Sequence, residues 1–247
     1  MQIDEVLKIS HEKKEEYLRE ITSDNHPFGI LLGGQGAVGK GQLNLWAERL
    51  YPENTFLAIN GDNYRIFSHR FSFVVEGTMR TANIPLKTAE KLRSYGFQTA
   101  AFAIAACKEF SLLNAFVRYF KEVQTKGFGR MIDIESHNSA VEGLPKSLDI
   151  LYTEKSVDRI CLFDCFANNL IADYQLSNGD WNCQTLPSVI VLTAREKQLH
   201  DTEAVENLLE ESRKVLEQLK DEGITELMQS AYDDLFSKTT IPSLTFQ

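Results

Sequence analysis

A glycine-rich segment that ends in a lysine has the clearest chemical meaning in this sequence. It directly follows the apolar run 28–32, and the helical spacing of Leu43, Trp46, Ala47 and Leu50 comes after it. Glycines let backbone N–H groups turn inward around a phosphate, the following helix start adds its dipole, and a lysine adds positive charge. We therefore predict a loop that binds a nucleoside triphosphate through Gly34, Gln35, Gly36, Ala37, Val38, Gly39, Lys40 and Gly41.

The residue after the lysine departs from the usual phosphate loop. A serine or threonine there supplies a hydroxyl to magnesium, but this sequence has Gly41. Gln42 could approach the metal from the next position, or water could replace the hydroxyl, and both are weaker arrangements for a hard cation. The sequence therefore leaves the metal ligands unidentified. Glycine-rich runs also occur by chance, and the flanking strand and helix patterns argue against that alternative.

Two carboxylates follow predicted strands. Asp62 comes after the strand 55–59, and Glu76 comes after the strand 73–75. The carboxyl ends of parallel strands share one edge of a sheet, so both side chains are expected beside the phosphate loop. A carboxylate there can take the proton of an attacking hydroxyl or hold magnesium. The alternative is that each carboxylate merely caps a turn.

Two arginines bracket the end of a long predicted helix. Arg118 lies within the helix 108–126, and Arg130 follows the glycine turn 127–129. Arginines on a mobile segment neutralise the charge of a transferring phosphoryl group in many phosphotransferases. Both could instead be ordinary solvated side chains, since Arg118 lies on the side of the helix away from Phe116.

Composition and charge limit the partners of this chain. Of its 247 residues 43% are hydrophobic and 25% charged, as in an ordinary soluble globular protein. The net charge of −9 excludes a general attraction to nucleic acid or to an anionic membrane. No apolar stretch approaches the about 20 residues of a membrane span, and the N-terminal segment lacks a signal peptide's apolar core. We expect a cytoplasmic protein with reduced cysteines and with no nucleic-acid or membrane partner.

Apolar periodicity predicts strands that alternate with helices. Strands are expected at 28–32, 55–59, 73–75, 98–106 and 159–163, with a candidate extra strand at 189–192. Helices are expected at 1–22 (one or two short ones), 85–95, 108–126, 201–222 and 225–236. This alternation indicates an α/β fold with a mostly parallel sheet flanked by helices.

The pattern also suggests how the chain is organised. We expect one domain over 1–198, including the N-terminal helix, and a helical extension over 199–247 that packs on it through an apolar stripe. The 14 positions between Asp62 and Glu76 barely suffice for a parallel crossover. Either the two strands are not adjacent parallel neighbours, or the chain lacks a segment there.

The motifs together resemble one known family. The sequence is similar to the zeta toxins over roughly residues 1 to 165, and the Glu-Gly-Thr-x-Arg-Thr segment is the most specific part of the resemblance. The similar segments are Gly33-Gly34-Gln35 with the phosphate loop, Asn60-Gly61-Asp62-Asn63-Tyr64-Arg65, Val75-Glu76-Gly77-Thr78-Met79-Arg80-Thr81, Ile84-Pro85-Leu86-Lys87-Thr88-Ala89, Arg118-Tyr119 through Arg130, and Leu144-Pro145-Lys146-Ser147-Leu148.

The resemblance implies a P-loop kinase-like fold and an activity. Zeta toxins use ATP and Mg²⁺ to phosphorylate the 3′-hydroxyl of UDP-N-acetylglucosamine, a cell-wall precursor, and a small helical antitoxin restrains them. Carried over to this sequence, Lys40 would contact the β- and γ-phosphates and Asp62 would be the base. Arg118 and Arg130 would stabilise the transferring phosphoryl group. The implied substrate-binding residues are Glu76, Thr78 and Arg80.

Three departures from the family keep alternatives open. Gly41 replaces the magnesium-binding hydroxyl, and Asn60 stands where relatives often have an acidic residue. The short link between Asp62 and Glu76 omits most of a helical region that helps to form the family's sugar pocket. The chain could therefore be a catalytically degenerate member that binds a nucleotide or a partner protein. It could also be a P-loop kinase for another small hydroxylated substrate.

Overall fold

A mostly parallel sheet forms the centre of the computed structural model, which describes residues 26–59 and 71–239. The predicted helices of 1–22 and the predicted base Asp62 lie outside these ranges. Within them the strand order is β2-β3-β1-β4-β5-β6-β7, with β1 to β5 parallel and β6 and β7 added antiparallel at one edge. The strands are β1 Phe28–Gly33, β2 Phe56–Ile59, β3 Ser72–Glu76, β4 Gln98–Ile104, β5 Arg159–Phe163, β6 Leu170–Ser177 and β7 Asp180–Trp181.

Seven helices flank the sheet in the described part of the chain. They are α1 Gln42–Leu50, α2 Asn83–Ser94, α3 Lys108–Lys126, α4 Ile134–Thr153, α5 Pro187–Leu199, α6 Thr202–Leu216 and α7 Glu222–Lys238. A short 3₁₀ turn, Cys165–Ala167, follows β5. In residues 26–59 and 71–239, no helix is long and apolar enough to cross a membrane. The predicted α/β fold with a mostly parallel sheet is confirmed.

Helices cover both faces of the sheet because its central strands are apolar on both sides. Along β4, Phe102 and Ile104 share one core cluster with Leu43 of α1. Ala101 and Ala103 belong to another cluster, with apolar residues of α2, α4 and α5. Burial of both faces is typical of a parallel sheet. The loops that leave β1, β3 and β4 are therefore held at one edge by a closely packed centre.

The last two helices pack on α3. Their shared cluster includes Phe110, Leu113, Phe116, Val205, Leu208, Leu209, Met228 and Leu235. Lys238 near the end of α7 also pairs with Glu109 in the first turn of α3. Burial, the largest single effect, raises the pKa of Glu109. The hydrogen bond and charge of Lys238, together with hydrogen bonds from the Glu109 backbone and Cys107, outweigh it and leave that pKa below its usual value. The apolar stripe of the tail is thus buried against α3.

The strands β2 and β3 are adjacent parallel neighbours. Ile59 pairs with Val75, and β3 ends at Glu76. This pairing excludes one explanation of the short link between Asp62 and Glu76, namely that their strands are not adjacent. The chain leaves β2 beside Glu76, at the edge of the sheet that carries the phosphate loop.

One predicted strand is wrong, and three elements were not predicted. Residues 189–192 lie inside α5, which has Pro187 at its start; a short apolar run does not distinguish a strand from a buried helix. The strands β6 and β7 and the helix α4 carried no clear pattern. The helix α4 contains Gly143 and Pro145, residues that usually disfavour a helix interior. A Cβ on Gly143 would lie 1.9 Å from the Arg80 carbonyl oxygen, so the close packing of α4 requires glycine there.

Candidate functional site

The glycine-rich segment forms a tight loop between β1 and α1. Three of its residues have positive φ: Gly34 at 138°, Ala37 at 59° and Gly39 at 86°. The helix α1 then begins with hydrogen bonds from Gln42 N–H to the Gly39 carbonyl and from Leu43 N–H to the Lys40 carbonyl, both 2.9 Å. The positive φ angles explain the glycines at positions 34 and 39. A strand, a turn of this kind and a helix start are what a phosphate cradle requires.

Lys40 folds back across this loop. Its Nζ donates to the carbonyl oxygens of Gly34 at 3.0 Å and Gln35 at 2.9 Å, and it lies 3.7 Å from Oε1 of Glu76. Burial lowers the pKa of Lys40; Glu76 opposes that effect, and the positive charges of Arg118 and Arg130 add to it. The ammonium group therefore lies within electrostatic reach of the other predicted site residues, and a phosphate could replace its carbonyl partners.

A cleft of about 1210 Å³ opens over the loop. It brings together most of the residues predicted to act, which come from the β1–α1 loop, the end of β3, helix α3 and the α3–α4 connection. The predicted site residues that line it are Gly36, Ala37, Val38, Gly39, Lys40, Gly41, Glu76, Thr78, Arg118 and Arg130. Helix α4 closes the cleft with Ser136, His137 and Ala140. The cleft is large enough for a ligand the size of a nucleotide.

Of the predicted site residues that the structure describes, Gly34, Gln35 and Arg80 do not line the cleft, and Gly34 is buried. Arg80 is exposed and is not among the cleft residues; its Nη1 lies 3.3 Å from Oγ of Ser136, which does line the cleft. Gln35 is completely buried, and its Nε2 donates to the Ala106 carbonyl at 2.8 Å and to Ser111 Oγ at 3.1 Å. The Gln35 side chain therefore anchors the phosphate loop to the protein interior, and Arg80 lies next to the cleft without lining it.

A buried polar chain extends from Gln35 to helix α4. Ser111 Oγ, which receives the Gln35 hydrogen bond, lies 2.8 Å from Nε2 of His137. Burial lowers the pKa of His137, which favours the neutral ring. Neither Ser111 nor His137 was predicted from the sequence. Helix α4 was not predicted, so no pattern brought His137 near the loop.

The two arginines line the cleft from α3 and from the connection that follows it. The Nε of Arg118 is buried without a hydrogen-bond partner in the described part of the chain. The N–H of Arg130 donates to Glu122 at 2.9 Å. The connection also touches the phosphate loop, because a Cβ on Gly36 would lie 3.0 Å from Ile132. The structure thus places two cations in the same cleft as Lys40.

Gly41 leaves open space at the position where a hydroxyl is usual. It has φ −57° and ψ −27°, which any residue adopts, and a Cβ there would meet nothing within 4 Å. Within residues 26–59 and 71–239 there is no group of three or more histidine, cysteine, aspartate or glutamate residues that could hold a metal ion. Glu76, whose Oε1 lies 3.7 Å from Lys40 Nζ, is a carboxylate that could supply an oxygen ligand to magnesium.

The parallel sheet and the lysine-bearing loop at its carboxyl edge define a P-loop kinase-like α/β protein. A chain from the solved structure of the PezAT chromosomal toxin-antitoxin system of Streptococcus pneumoniae has the same fold: the TM-score is 0.66 at 18% identity, over 96% of this chain and 98% of that chain. The family model of the zeta toxins matches residues 65–185. Within that segment the chain is similar to the zeta toxin family.

Two curated relatives show how far the similarity extends. Toxin PezT of Streptococcus pneumoniae serotype 4 is 25% identical over 216 residues, which cover 67% of this chain and 85% of that protein. Toxin zeta of Enterococcus hirae is 30% identical over 89 residues, 36% of this chain and 31% of that protein. The match to toxin zeta thus spans about a third of its length.

Proposed function

We propose that this protein is an ATP-dependent kinase that transfers the γ-phosphate of ATP to the 3′-hydroxyl of UDP-N-acetylglucosamine. The observation that carries the proposal is the single cleft in which Lys40 on the phosphate loop, Glu76, Arg118 and Arg130 meet. A triphosphate needs concentrated positive charge and N–H donors, and this cleft offers both. The acceptor is proposed from the similarity to the zeta toxin family.

The proposed mechanism assigns one role to each group. The N–H groups of residues 36–41 hold the phosphates, and Lys40 neutralises charge on the β- and γ-phosphates. Asp62 takes the proton of the 3′-hydroxyl, whose oxygen attacks the γ-phosphorus. The bond from phosphorus to the bridging oxygen breaks, and ADP leaves. Arg118 and Arg130 stabilise the charge on the phosphoryl group during this transfer.

The acceptor and the metal complete the proposed site. The nucleotide sugar is held by Glu76, Thr78 and Arg80. Magnesium, when bound, neutralises phosphate charge; Glu76 is the candidate ligand, because Gly41 has no side-chain oxygen. Toxicity follows from removal of a cell-wall precursor, and a small helical antitoxin is the proposed partner. PezT, a relative, is part of a toxin-antitoxin system.

A product screen tests the proposal. The protein is incubated with ATP, Mg²⁺ and a panel of nucleotide sugars, and the mixture is analysed by mass spectrometry. We expect UDP-N-acetylglucosamine to gain one phosphate and the other sugars to remain unchanged. An Asp62→Asn variant should form no product, because an amide cannot take the proton. Phosphorylation of another panel member alone would replace the proposed acceptor with that substrate.

Gly41 favours a second candidate, a degenerate member that binds a nucleotide without efficient catalysis. We expect Gly41→Thr to raise turnover at limiting Mg²⁺, because the open space accepts the side chain and its hydroxyl can bind the metal. The gain should be comparable with the roughly 10- to 100-fold effects of groups around a bound metal. Steady-state rates measured over a range of Mg²⁺ concentrations report it.

The matched control is Gly41→Val, which has the shape of threonine without its hydroxyl and should give no gain. If neither the wild type nor Gly41→Thr shows turnover while both bind ATP, the degenerate binding module is correct. An equal gain from valine and threonine would contradict a metal effect and would point to a stiffer start of α1.

A further inference from the structure

An aromatic side chain lies on the wall of the cleft beside the phosphate loop. Phe166, in the 3₁₀ turn after β5, lines the cleft, and 38% of it is exposed. Its backbone has φ 65° and ψ 7°, and that of Ala167 has φ 55°. Two successive non-glycine residues in this left-handed region are unusual, and such conformations often accompany a functional site. The mechanism above gives Phe166 no role.

Several contacts hold Phe166 against the phosphate loop. Its N–H donates to the Val38 carbonyl at 3.1 Å, and a Cβ on Gly39 would lie 2.8 Å from its Cα. The next residue accepts a hydrogen bond of 2.8 Å from Trp46 Nε1 on α1. The backbone at position 166 is thus fixed relative to the loop, while the residue lines the cleft and is 38% exposed.

Charged and aromatic groups line the same cleft. Arg118 and Arg130 act electrostatically on Lys40, and the Phe166 backbone adjoins Gly39 of the phosphate loop. A nucleoside triphosphate needs both kinds of group, because it combines charged phosphates with a planar base. With the phosphates on the loop, Phe166 is an aromatic surface in the same cleft that the base can meet.

We propose that Phe166 is the surface on which the base of the bound nucleoside triphosphate stacks. This inference rests on the proposed function, because it needs a triphosphate on the loop. Stacking of a base on an aromatic side chain strengthens binding roughly fivefold to hundredfold. Phe166 would therefore determine much of the preference for a nucleotide over a bare polyphosphate chain.

Calorimetric titrations of ATP and of inorganic tripolyphosphate, both with Mg²⁺, separate these contributions. We expect Phe166→Ala to weaken ATP binding roughly fivefold to hundredfold and to leave tripolyphosphate binding unchanged. Phe166→Tyr should retain ATP affinity, and Phe166→Leu should lose it although the apolar bulk remains. Phe236→Ala is the matched control, since Phe236 on α7 is also 38% exposed and lies outside the cleft lining.

The other outcomes distinguish the two proposals. If Phe166→Leu weakened the binding of ATP and of tripolyphosphate equally, the stacking role would be overturned. The ring would then be a structural support of the loop. Unchanged ATP binding in Phe166→Leu would also overturn it. A wild-type protein that binds tripolyphosphate as tightly as ATP would refute stacking but keep the phosphate loop. A wild-type protein that binds neither ligand would refute the proposed function itself and the stacking role with it.

Discussion

Replacing Lys40 with alanine should reduce phosphoryl transfer by about 10²- to 10³-fold, the usual loss when one preorganised charge-stabilising group is removed. Its Nζ is the ammonium group held on the loop by Gly34 and Gln35, 3.7 Å from Glu76. No other lysine approaches this position from the loop itself. Initial rates of product formation at saturating ATP report the loss in kcat.

The control for Lys40→Ala is Lys121→Ala, which removes a lysine from the cleft wall. Lys121 already pairs with Glu211 and is exposed, so its removal should change the rate little. Near wild-type turnover in Lys40→Ala would show that the loop does not hold the transferring phosphates. Thermal unfolding of both variants verifies that they remain folded.

Replacing both Arg118 and Arg130 with glutamine should lower kcat by about 10³-fold or more, because arginines that stabilise a transferring phosphoryl group have effects of that size. The two guanidinium groups face the same cleft as Lys40 and lower its pKa. Their loss should alter KM for the acceptor much less than kcat. Single-turnover rates with preformed ATP complex separate chemistry from binding.

Arg213→Gln provides the comparison for the arginine variants. Arg213 pairs with Glu217 on the exposed surface of α6, so this variant loses one positive charge away from the cleft. It should retain the wild-type rate. If the double variant instead raised KM and left kcat unchanged, the arginines would bind the acceptor and would not stabilise the transfer.

Features determined by a few neighbouring residues were predictable from the sequence. The phosphate loop needs only β1, the glycines and the start of α1, all of which are local. Helix α3 was predicted with its observed bounds, 108–126, because its apolar residues follow one helical stripe. The predicted ends of β1 and β3 correctly placed Lys40 and Glu76 at the same edge of the sheet.

The remaining parts of the site depend on contacts between distant segments. Helix α4 contains Pro145 and Gly143, and the packing of Gly143 on the Arg80 backbone is a tertiary contact that no local pattern reveals. His137 therefore went unnoticed. The position of Phe166 depends on positive φ angles, which nothing in the types of residues 165–167 predicts. Asp62 lies outside the described residues, and its role stays a prediction.

Helix α3 carries two groups that serve different parts of the site. Ser111 anchors Gln35 of the phosphate loop, and Arg118 lies seven positions further along the same helix. The tail helices pack on this helix through a shared apolar cluster. Because a packed helix is rigid over two turns, the spacing between the phosphate cradle and the Arg118 backbone is set when the chain folds. The site therefore needs little rearrangement when the ligand binds. Such preorganisation is the condition for strong electrostatic stabilisation.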